Sequence, residues 1–551
     1  MTARISRPDT AELGPSPASP RGRAAASPVE RPANIEAPAA LRLLHIGAAL
    51  ASMIAATYVF EPLHGLQPWK SSEDYVPFWN LVGRHLLGEE AALVQERAQL
   101  EALRQASVAA DLDATVEAAR PPPAPPPEET VFPEYVARPG ETDPLEVQIE
   151  APERLDAYYR RLTLVDLQVP VLARAAHWGD SLLGDDGLTG SARRRLQTRF
   201  GDGGHGFHVL APLNPFHMHR GLQFKVLEPW TSRCEVLFRC EKDRQYGLGG
   251  VSTRASGEAA SRFGTVASAP GDRISRFELW YQTAPHGGFF DVVVDDEPPR
   301  RIDTRAEEPT DEVAIFEVPD APHSIQVRAA GRGSVRGYGV VMERGGPGIV
   351  WDNLAVIGLS TASLKAQDPE HIRSQIARRE IDLLVFSLGG NDTQRSTADI
   401  RAVFEEEYRT IVRRYRSGRP EAACLAIGVT DHADRTDKNG IQTRRSVLEI
   451  VEIQRKVAES EGCAFFDLFR AMGGEGTVAR WFRAKPALAS ADLAHPTSAG
   501  HEILATLLVR ALLRGYVDYR ERMVGEPLPE WKELQGREEG GAAPVSDVSS
   551  P

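Results

Sequence analysis

The sequence predicts an α/β protein with a doubly wound, flavodoxin-like parallel sheet of five strands and an inserted all-β domain. From about residue 160 onward, short apolar runs typical of buried strands alternate with amphipathic helical patterns. This alternation stops between residues 222 and 349, where period-two runs separated by Gly, Pro and Asp turns predict a sandwich or jelly roll. Polar segments follow several strand runs, at the carboxyl ends where open α/β sheets carry their sites.

Five apolar runs supply the predicted strands, and amphipathic patterns supply the helices that cross between them. The strands are predicted at residues 171–176, 354–357, 383–388, 423–429 and 464–467. The helices are predicted at Thr189–Phe200, Pro369–Arg379, Thr397–Arg416, Gln442–Glu461 and Thr497–Arg514. The β-rich insert at 222–349 therefore divides one α/β domain into residues 161–221 and 350–520. We expect the two ends of the insert to lie close together and its surface to lie beside the carboxyl ends of the strands.

Two segments ahead of this domain predict attachment to the inner membrane. Residues 1–40 are rich in Arg, Pro and Ser, which predicts a disordered basic tail in the cytoplasm. Leu43–Phe60 is a continuous apolar run followed by Glu61, which predicts a transmembrane anchor within residues 41–63. The positive-inside rule then puts the catalytic domain in the periplasm or another extracytoplasmic space. A buried core helix and a cleaved signal peptide are the alternatives.

The remaining flanking segments are predicted to lack a packed core. Residues 64–160 are predicted to be a linker, because the helical pattern of Glu89–Ala119 is followed by a Pro-rich run at 121–127. Residues 521–551 are predicted to be a disordered tail.

Composition narrows the expected partners and cofactors. The chain has 551 residues and a net charge of −13, which argues for more than one folded unit and against nucleic acid as a partner. Its cysteines show no metal-ligand spacing such as C-x-x-C, so neither a metal nor a cofactor is expected. Cys234 and Cys240 are too far apart along an extended strand to bridge each other. Together with Cys424 and Cys463, they are expected to be buried thiols.

Three distant segments carry the groups of an acyl-transfer site: Gly179-Asp180-Ser181, Gly390-Asn391-Asp392 and Asp492-Leu493-Ala494-His495. Ser181 is the predicted nucleophile, and it needs a base because a serine hydroxyl is inert at neutral pH. His495 is the predicted base, and Asp492 is predicted to orient its imidazole toward the serine. Asn391 is predicted to donate its side-chain amide to the oxyanion.

In order and context these segments resemble the SGNH (GDSL) hydrolase family, whose blocks read GDS, a lone Gly, GxND and DxxH. The resemblance implies a sheet of the SGNH type and makes Ser181, His495 and Asp492 the catalytic set. It assigns the lone glycine to Gly358, at the end of the run 354–357.

The resemblance also implies an oxyanion hole made by the backbone N–H groups of Ser181 and Gly358 and the amide of Asn391. The residues that follow the glycine, Leu359-Ser360, depart from the Asn-Gly often found there in the family. Asp392 is expected to tie down its own loop instead of taking part in the chemistry.

Two further likenesses bear on the substrate. The segment Ala471–Thr477 with Trp481 resembles a bacterial extracytoplasmic branch of the family, and the insert resembles a carbohydrate-binding-like domain found in some peptidoglycan O-acetylesterases. They imply a serine esterase that removes O-acetyl groups from a cell-envelope glycan through an acetyl-Ser181 intermediate, with peptidoglycan as the first substrate and exopolysaccharide as the second. A polysaccharide O-acetyltransferase and a non-catalytic glycan-binding protein are the alternatives.

Other polar and aromatic residues are weaker candidates. Asp431 and His432 follow a predicted strand and are expected to be solvated loop residues, with contact to the substrate as the alternative. The insert contributes candidates for sugar stacking, although strand alternation predicts that at least half of them belong to its core. These candidates are Trp280, Tyr281, Phe289 and Phe290.

Overall fold

The computed structural model describes residues 131–436 and 440–528, together with the single position Ser52. The predicted basic tail, the rest of the predicted anchor at Leu43–Phe60, and the predicted helix and Pro-rich run of the linker lie outside these residues. Among the helices of the described residues, none has both the length and the apolar character needed to span a bilayer.

The elements of the described chain follow the predicted order, with helices on either side of a β-rich middle. The strands are β1 (Leu172–Gly179), β2 (Gly204–Val209), β3 (Leu222–Glu228), β4 (Ser232–Glu235), β5 (Val251–Ala255), β6 (Ala259–Thr265), β7 (Ile274–Thr283), β8 (Phe289–Val294), β9 (Arg300–Asp303), β10 (Thr310–Ala321), β11 (Ser324–Ala330), β12 (Val335–Glu343), β13 (Gly348–Ala355), β14 (Leu383–Ser387), β15 (Ala423–Ile427), β16 (Ala433–Arg435), β17 (Ile441–Thr443) and β18 (Ala464–Phe466). The helices are α1 (Asp156–Asp166), α2 (Ser181–Gly184), α3 (Gly187–Phe200), α4 (Thr361–Lys365), α5 (Pro369–Arg379), α6 (Thr397–Asp399), α7 (Glu405–Arg416), α8 (Arg445–Ser460), α9 (Leu468–Ala471), α10 (Thr477–Arg483) and α11 (Ser498–Met523). Short 3-10 turns lie at Pro152–Leu155, Val236–Phe238 and Asn391–Gln394, and a π-helical turn at Ile400–Phe404 joins α6 to α7.

Five strands form a parallel sheet in the order β13-β1-β14-β15-β18. The first strand lies inside the sheet, with Ala176 paired to Asp352 on one side and to Leu384 on the other. The chain therefore winds to both sides of β1, which is the doubly wound arrangement. The prediction of a five-stranded parallel α/β sheet is confirmed.

Two apolar cores cover the two faces of this sheet. Along β14, Val385 points into one core, whereas Leu384 and Phe386 point into the other. The first core includes residues of α1, α3 and α11, and the second includes residues of α5, α7 and α8. Because helices cover both faces, the strands are buried on both sides and rich in apolar residues, and these apolar runs made them visible in the sequence.

The insert is a sandwich of two antiparallel sheets, as its period-two pattern predicts. One sheet has the order β10-β7-β12-β5-β4, with β2 also paired to β12, and the other has the order β3-β6-β11-β8-β9. A third apolar core lies between them and includes Phe263, Leu279 and Val327.

The β-rich region begins before residue 222, the boundary predicted from the sequence. Gly204 at the start of β2 lies opposite Glu343 at the end of β12, so the two ends of the insert lie together. They meet at the amino end of β13, where Asp202 bridges to Ile349. The earlier start was missed because β2 is short and pairs with a strand far along the chain.

A buried ion-pair network fastens the insert to the α/β domain. Glu343 of β12 accepts hydrogen bonds from Arg174 Nε at 3.0 Å and from Arg379 Nη1 at 2.6 Å. Arg379 also donates to Asp352 at 2.9 Å, and Asp352 accepts the backbone N–H of Phe207 at 2.8 Å. Burial alone would raise the pKa of Glu343, but the two arginines lower it. Removing one partner of such a network would leave a buried charge without a counter-ion, which is strongly destabilising. The network therefore holds the insert and the α/β domain in one arrangement.

Part of the predicted linker packs on the α/β domain. Phe132 is buried and meets the ring of Tyr519 edge-on, with ring centroids 5.9 Å apart. Glu141 accepts a hydrogen bond from Arg199 Nε at 2.6 Å. Residues 131–160, which the prediction assigned to the linker, therefore include apolar and charged partners of the α/β domain.

The last helix runs past the predicted limits of the domain. α11 continues to Met523, beyond the predicted helix end at Arg514 and the predicted domain end at 520. Tyr516 and Tyr519 extend its buried face, so the helix continues for as long as it covers the core. Residues 529–551 of the predicted tail lie outside the described residues.

All four cysteines form disulfide bonds, so the expectation of buried thiols is wrong. Cys234 pairs with Cys240 at a Cα–Cα distance of 6.0 Å, and Cys424 pairs with Cys463 at 4.6 Å. The prediction assumed an extended strand between Cys234 and Cys240, whereas the 3-10 turn at Val236–Phe238 folds the chain back. The second bond links Cys424 of β15 to Cys463, the residue before the neighbouring strand β18.

Candidate active site

Ser181 lies where β1 runs into the short helix α2. Asp180 precedes it and caps this helix, because Asp180 Oδ1 accepts the backbone N–H of Leu182 at 3.0 Å. The turn is tight, since a Cβ atom on Gly179 would lie 2.5 Å from Leu183 Cδ1. Ser181 is thus the first residue of a helix and is half-buried at the carboxyl edge of the sheet.

Asp492 and His495 lie on a tightly bonded loop before α11. The backbone N–H of Ser490 donates to the His495 carbonyl at 2.8 Å, and the N–H of Leu493 donates to the Ser490 carbonyl at 3.1 Å. Leu493 has a φ of 59°, in the left-handed region that a leucine rarely adopts. This conformation folds the loop so that the side chains of Asp492 and His495 meet.

The three predicted catalytic residues form one hydrogen-bonded chain. His495 Nε2 lies 2.7 Å from Ser181 Oγ, and His495 Nδ1 lies 2.6 Å from Asp492 Oδ2. Asp492 Oδ1 also accepts the backbone N–H groups of Ala494 and His495, both at 3.1 Å. Burial would raise the pKa of Asp492, but these hydrogen bonds lower it. An ionised Asp492 can hold the imidazole while its far nitrogen takes the serine proton.

Two backbone N–H groups are free to bind an oxyanion. Those of Ser181 and Gly358 have no acceptor within residues 131–436 and 440–528. Gly358 has a φ of 89°, in the left-handed region that favours glycine. A Cβ atom there would meet only Leu237 Cδ2, at 3.9 Å. Glycine is therefore favoured by the backbone conformation and not by lack of space.

Asn391 begins the 3-10 turn that follows β14, and its amide fixes a neighbouring loop. Asn391 Nδ2 donates one hydrogen to the carbonyl of Leu359 at 3.1 Å. The second hydrogen of this amide has no acceptor among the described residues. Because Leu359 follows Gly358, the bond holds the glycine loop against Asn391. The three predicted oxyanion donors thus share one edge of the sheet, and their role in catalysis stays a prediction.

Two buried carboxylates lie under these loops. Asp392 accepts the backbone N–H of Thr361 at 3.1 Å and the Thr361 hydroxyl at 3.0 Å, so it ties the loop of Gly358 to its own. Burial raises the pKa of Asp392. Burial, with the nearby charge of Asp392, also raises the pKa of Asp180 to about 6. Both carboxylates hold the backbone of loops that carry predicted site residues.

Asp431 and His432 are buried, so the expectation of solvated loop residues is wrong. Asp431 accepts the Thr443 hydroxyl and the backbone N–H of Val478, both at 2.8 Å. His432 Nδ1 lies 2.9 Å from the Thr430 carbonyl, and burial lowers the pKa of this imidazole to about 4. Both residues hold the loop after β15 in place.

The aromatic candidates of the insert do not offer open rings. Trp280, Tyr281 and Phe290 are buried. Phe289 is half-buried, and the guanidinium groups of Arg301 and Arg305 lie 5.2 and 4.8 Å from its ring centre. Strand alternation predicted that at least half of these residues belong to the core of the insert. Their burial fits that prediction better than a role in sugar stacking.

Sequence reasoning missed the turn that borders Gly358. Val236–Phe238 belongs to the insert, and Cys234 and Cys240 close this turn beside the glycine. The available signal was the pair of cysteines separated by a segment short enough to form a turn. Within the described part of the chain, no group of three or more His, Cys, Asp or Glu residues is arranged to hold a metal ion.

Residues 322–503 match the model of the GDSL-like lipase/acylhydrolase family. The chain contains a GDSL-like domain. The match includes Gly358, Asn391, Asp492 and His495, whereas Ser181 precedes it, on the other side of the insert. No curated protein matches the chain.

Two of the solved structures that are similar to the chain are esterases. A peptidoglycan O-acetylesterase aligns with a TM-score of 0.55 and 20% identity, covering 66% of this chain and 96% of that one. A family two carbohydrate esterase from Cellvibrio japonicus aligns with a TM-score of 0.22 and 13% identity, covering 57% of this chain and 98% of that one. The first likeness shows a shared overall fold, and the family match is consistent with an α/β fold of the SGNH type.

Proposed function

We propose that this protein is a serine esterase that removes O-acetyl groups from a cell-envelope glycan, with peptidoglycan as the first substrate. The observation that carries the proposal is the hydrogen-bonded chain from Asp492 through His495 to Ser181, beside free backbone N–H groups. A nucleophile, an oriented base and oxyanion donors are the parts that acyl transfer requires.

In the first half of the proposed reaction, Ser181 Oγ attacks the acetyl carbonyl carbon as its proton moves to His495 Nε2. The carbonyl oxygen becomes an oxyanion, which the N–H groups of Ser181 and Gly358 and the amide of Asn391 stabilise. The carbon–oxygen bond to the sugar then breaks, and the leaving sugar oxygen takes the proton from His495. The acetyl group remains as an ester on Ser181.

In the second half, water replaces the sugar. His495 takes a proton from the attacking water, and the same donors stabilise the second oxyanion. The bond between the acetyl carbon and Ser181 Oγ breaks, acetate leaves, and His495 returns the proton to the serine.

The exposure of the site favours hydrolysis over transfer of the acetyl group to a second sugar. The side chains of His495 and Asp492 are 43% and 51% exposed, so water can reach the face of the base. A transferase has to keep water away from its acyl-enzyme, which requires a closed site. The intact triad geometry likewise speaks against a protein that only binds glycan.

The glycan substrate is supported by two observations of different kinds. The insert is a β-sandwich fastened to the catalytic domain, and two of its loops border the active site. The solved structure with a TM-score of 0.55 is a peptidoglycan O-acetylesterase, in which the same overall fold serves that chemistry. An acetylated polymer is therefore favoured over a free lipid or a small ester.

Acetate release from three polymers tests the substrate. We expect the enzyme to act on O-acetylated peptidoglycan with a higher kcat/KM than on acetylated xylan or acetylated exopolysaccharide, and to release nothing from alkali-deacetylated peptidoglycan. Acetyl groups recovered on an added acceptor glycan, instead of as acetate, would identify a transferase. Preference for xylan would retain the esterase and contradict the peptidoglycan substrate.

The proposal includes an extracytoplasmic location, with the chain held by the anchor predicted within residues 41–63. Two disulfide bonds support an oxidising compartment, since disulfides are rare in the cytosol. Full-length protein is expected in the membrane fraction after a high-salt wash and to need detergent for release. Recovery of the chain in the soluble fraction, with its N-terminus intact, would contradict the anchor.

A further inference from the structure

Two exposed phenylalanines of the insert lie on loops that border the catalytic residues. Phe216 is 72% exposed and Phe238 is 57% exposed, and no other aromatic side chain of the described residues is exposed to this degree. Met218, on the same loop as Phe216, is also exposed. Isolated apolar residues on a surface need no explanation, but exposed aromatic residues on two loops that border a catalytic site suggest a binding surface.

The loop of Phe216 is attached to the helix that carries Ser181. The backbone N–H of Met218 donates to the Gly184 carbonyl, the last residue of α2, at 2.8 Å. Asn353 Nδ2 donates to the Leu183 carbonyl of the same helix at 3.1 Å and reaches the Met218 carbonyl at 3.5 Å. This loop therefore stands directly beside the nucleophile helix.

The turn of Phe238 is attached to the other side of the site. Leu237, the residue before Phe238, has its Cδ2 atom 3.9 Å from the position that a Cβ atom on Gly358 would take. Arg239 donates to the carbonyl of Ala362 in α4 at 3.1 Å. The turn therefore borders the glycine whose N–H is a predicted oxyanion donor.

The two loops are also joined to each other, which makes them one surface. Arg233 Nη1 donates to the Pro212 carbonyl at 3.1 Å. The buried carboxylate of Glu235, whose pKa is raised by burial, faces the backbone N–H groups of Asn214 and Leu213. The disulfide bond of Cys234 closes the turn, so the aromatic side chains are presented on preorganised backbone.

We propose that the insert forms an aromatic rim, made of Phe216, Met218, Leu237 and Phe238, that binds a pyranose ring of the acetylated glycan and so aligns its ester with Ser181. This inference rests on the proposed function and names the residues that would favour a polymeric glycan over a small ester. The faces of a pyranose carry C–H groups that pack against an aromatic ring, while the hydroxyl groups at its edge stay in water. An open rim at the border of the site suits such a ligand.

A long acyl chain fits this surface less well. Ligands of that kind are buried in enclosed apolar pockets that cover most of their surface. The rings of Phe216 and Phe238 are more than half exposed, which leaves no such enclosure. Binding of a lipid acyl chain is therefore the alternative that the experiment must distinguish from binding of a sugar.

The experiment compares polymer and small-ester activity in the full-length enzyme. For Phe216→Ala and for Phe238→Ala we expect the ratio of kcat/KM on O-acetylated peptidoglycan to kcat/KM on p-nitrophenyl acetate to fall about tenfold, mainly through KM on the polymer. Phe238→Tyr keeps the ring and should restore the ratio. Val136→Ala is the matched control: Val136 is exposed, and its neighbour Tyr135 bonds to Arg199 in the last turn of α3, the end of that helix far from Ser181.

The remaining outcomes contradict either the aromatic rim alone or the rim together with the proposed function. An unchanged ratio in both alanine variants, with an active wild type, overturns the rim alone. An equal loss on p-nitrophenyl octanoate assigns the surface to an acyl chain and also overturns it. If the wild type hydrolyses p-nitrophenyl acetate but releases no acetate from peptidoglycan, the proposed function fails and the rim fails with it.

Discussion

Replacement of Ser181 by Ala, or of His495 by Ala, is expected to lower kcat for p-nitrophenyl acetate by roughly 10⁴- to 10⁶-fold. The serine oxygen is the atom that forms the acyl bond, and His495 Nε2, 2.7 Å away, is the group placed to take its proton. Without the base the hydroxyl stays protonated and unreactive. The measurement is the steady-state rate of nitrophenol release, with folding checked by circular dichroism.

The double variant Ser181→Ala/His495→Ala should be scarcely slower than either single variant. Both residues act in the same proton transfer, so once one is gone the other has nothing left to contribute. Additive losses would mean that the two side chains act separately, which would contradict the mechanism. Retained activity in Ser181→Ala would contradict the serine nucleophile itself.

The structure offers matched controls for both substitutions. Ser374 lies on α5, and its hydroxyl bonds only to the His371 carbonyl at 2.8 Å. His323 of the insert repeats the pairing of His495, because its Nδ1 lies 2.6 Å from Asp295 Oδ2, but its Nε2 faces the Pro319 carbonyl. Ser374→Ala and His323→Ala should leave kcat within about twofold of wild type, because neither changes a group near the nucleophile.

The sheet could be predicted because each of its strands is buried on both faces. Ala423–Ile427 is apolar from end to end, and Leu383–Ser387 is apolar up to its last residue. The amphipathic helix at Pro369–Arg379 ends shortly before Leu383. Since parallel strands finish at one edge, polar residues after separate strands had to come together in space. This is why Ser181 and Asn391 could be assigned to one site although the insert separates them.

The contacts within the site could not be predicted, because they depend on loop conformation. Nothing in the order of residues shows that Leu493 adopts left-handed backbone or that Asn391 bonds to the Leu359 carbonyl. The insert shows the same limit. The period-two pattern of its strands predicts that Trp280 is in a core, whereas Phe216 and Phe238 lie outside the strands, where no periodic pattern predicts exposure. Their position depends on packing between segments far apart in the chain.

Replacement of Asn391 by Ala is expected to lower kcat by about 10²- to 10³-fold with little change in KM. The free hydrogen of its amide binds the oxygen more strongly as negative charge develops on it, so the contact stabilises the transition state more than the bound substrate. Asn391→Asp removes the donor and keeps the shape, and its negative charge should make it slower than the alanine variant. The measurement is kcat and KM on p-nitrophenyl acetate for each.

Two comparisons distinguish stabilisation of the oxyanion by Asn391 from support of the Gly358 loop. Gln394 is exposed at the end of the same 3-10 turn, so Gln394→Ala should keep nearly full kcat. Loss of the bond from Asn391 to Leu359 alone would loosen the Gly358 loop, which should appear as a lower unfolding temperature and a raised KM. A variant that raised KM with kcat intact would therefore make Asn391 a structural or binding residue. A large fall in kcat at nearly constant KM assigns the amide to the oxyanion even if the unfolding temperature falls with the lost bond to Leu359, since only a transition-state contact lowers kcat in this way.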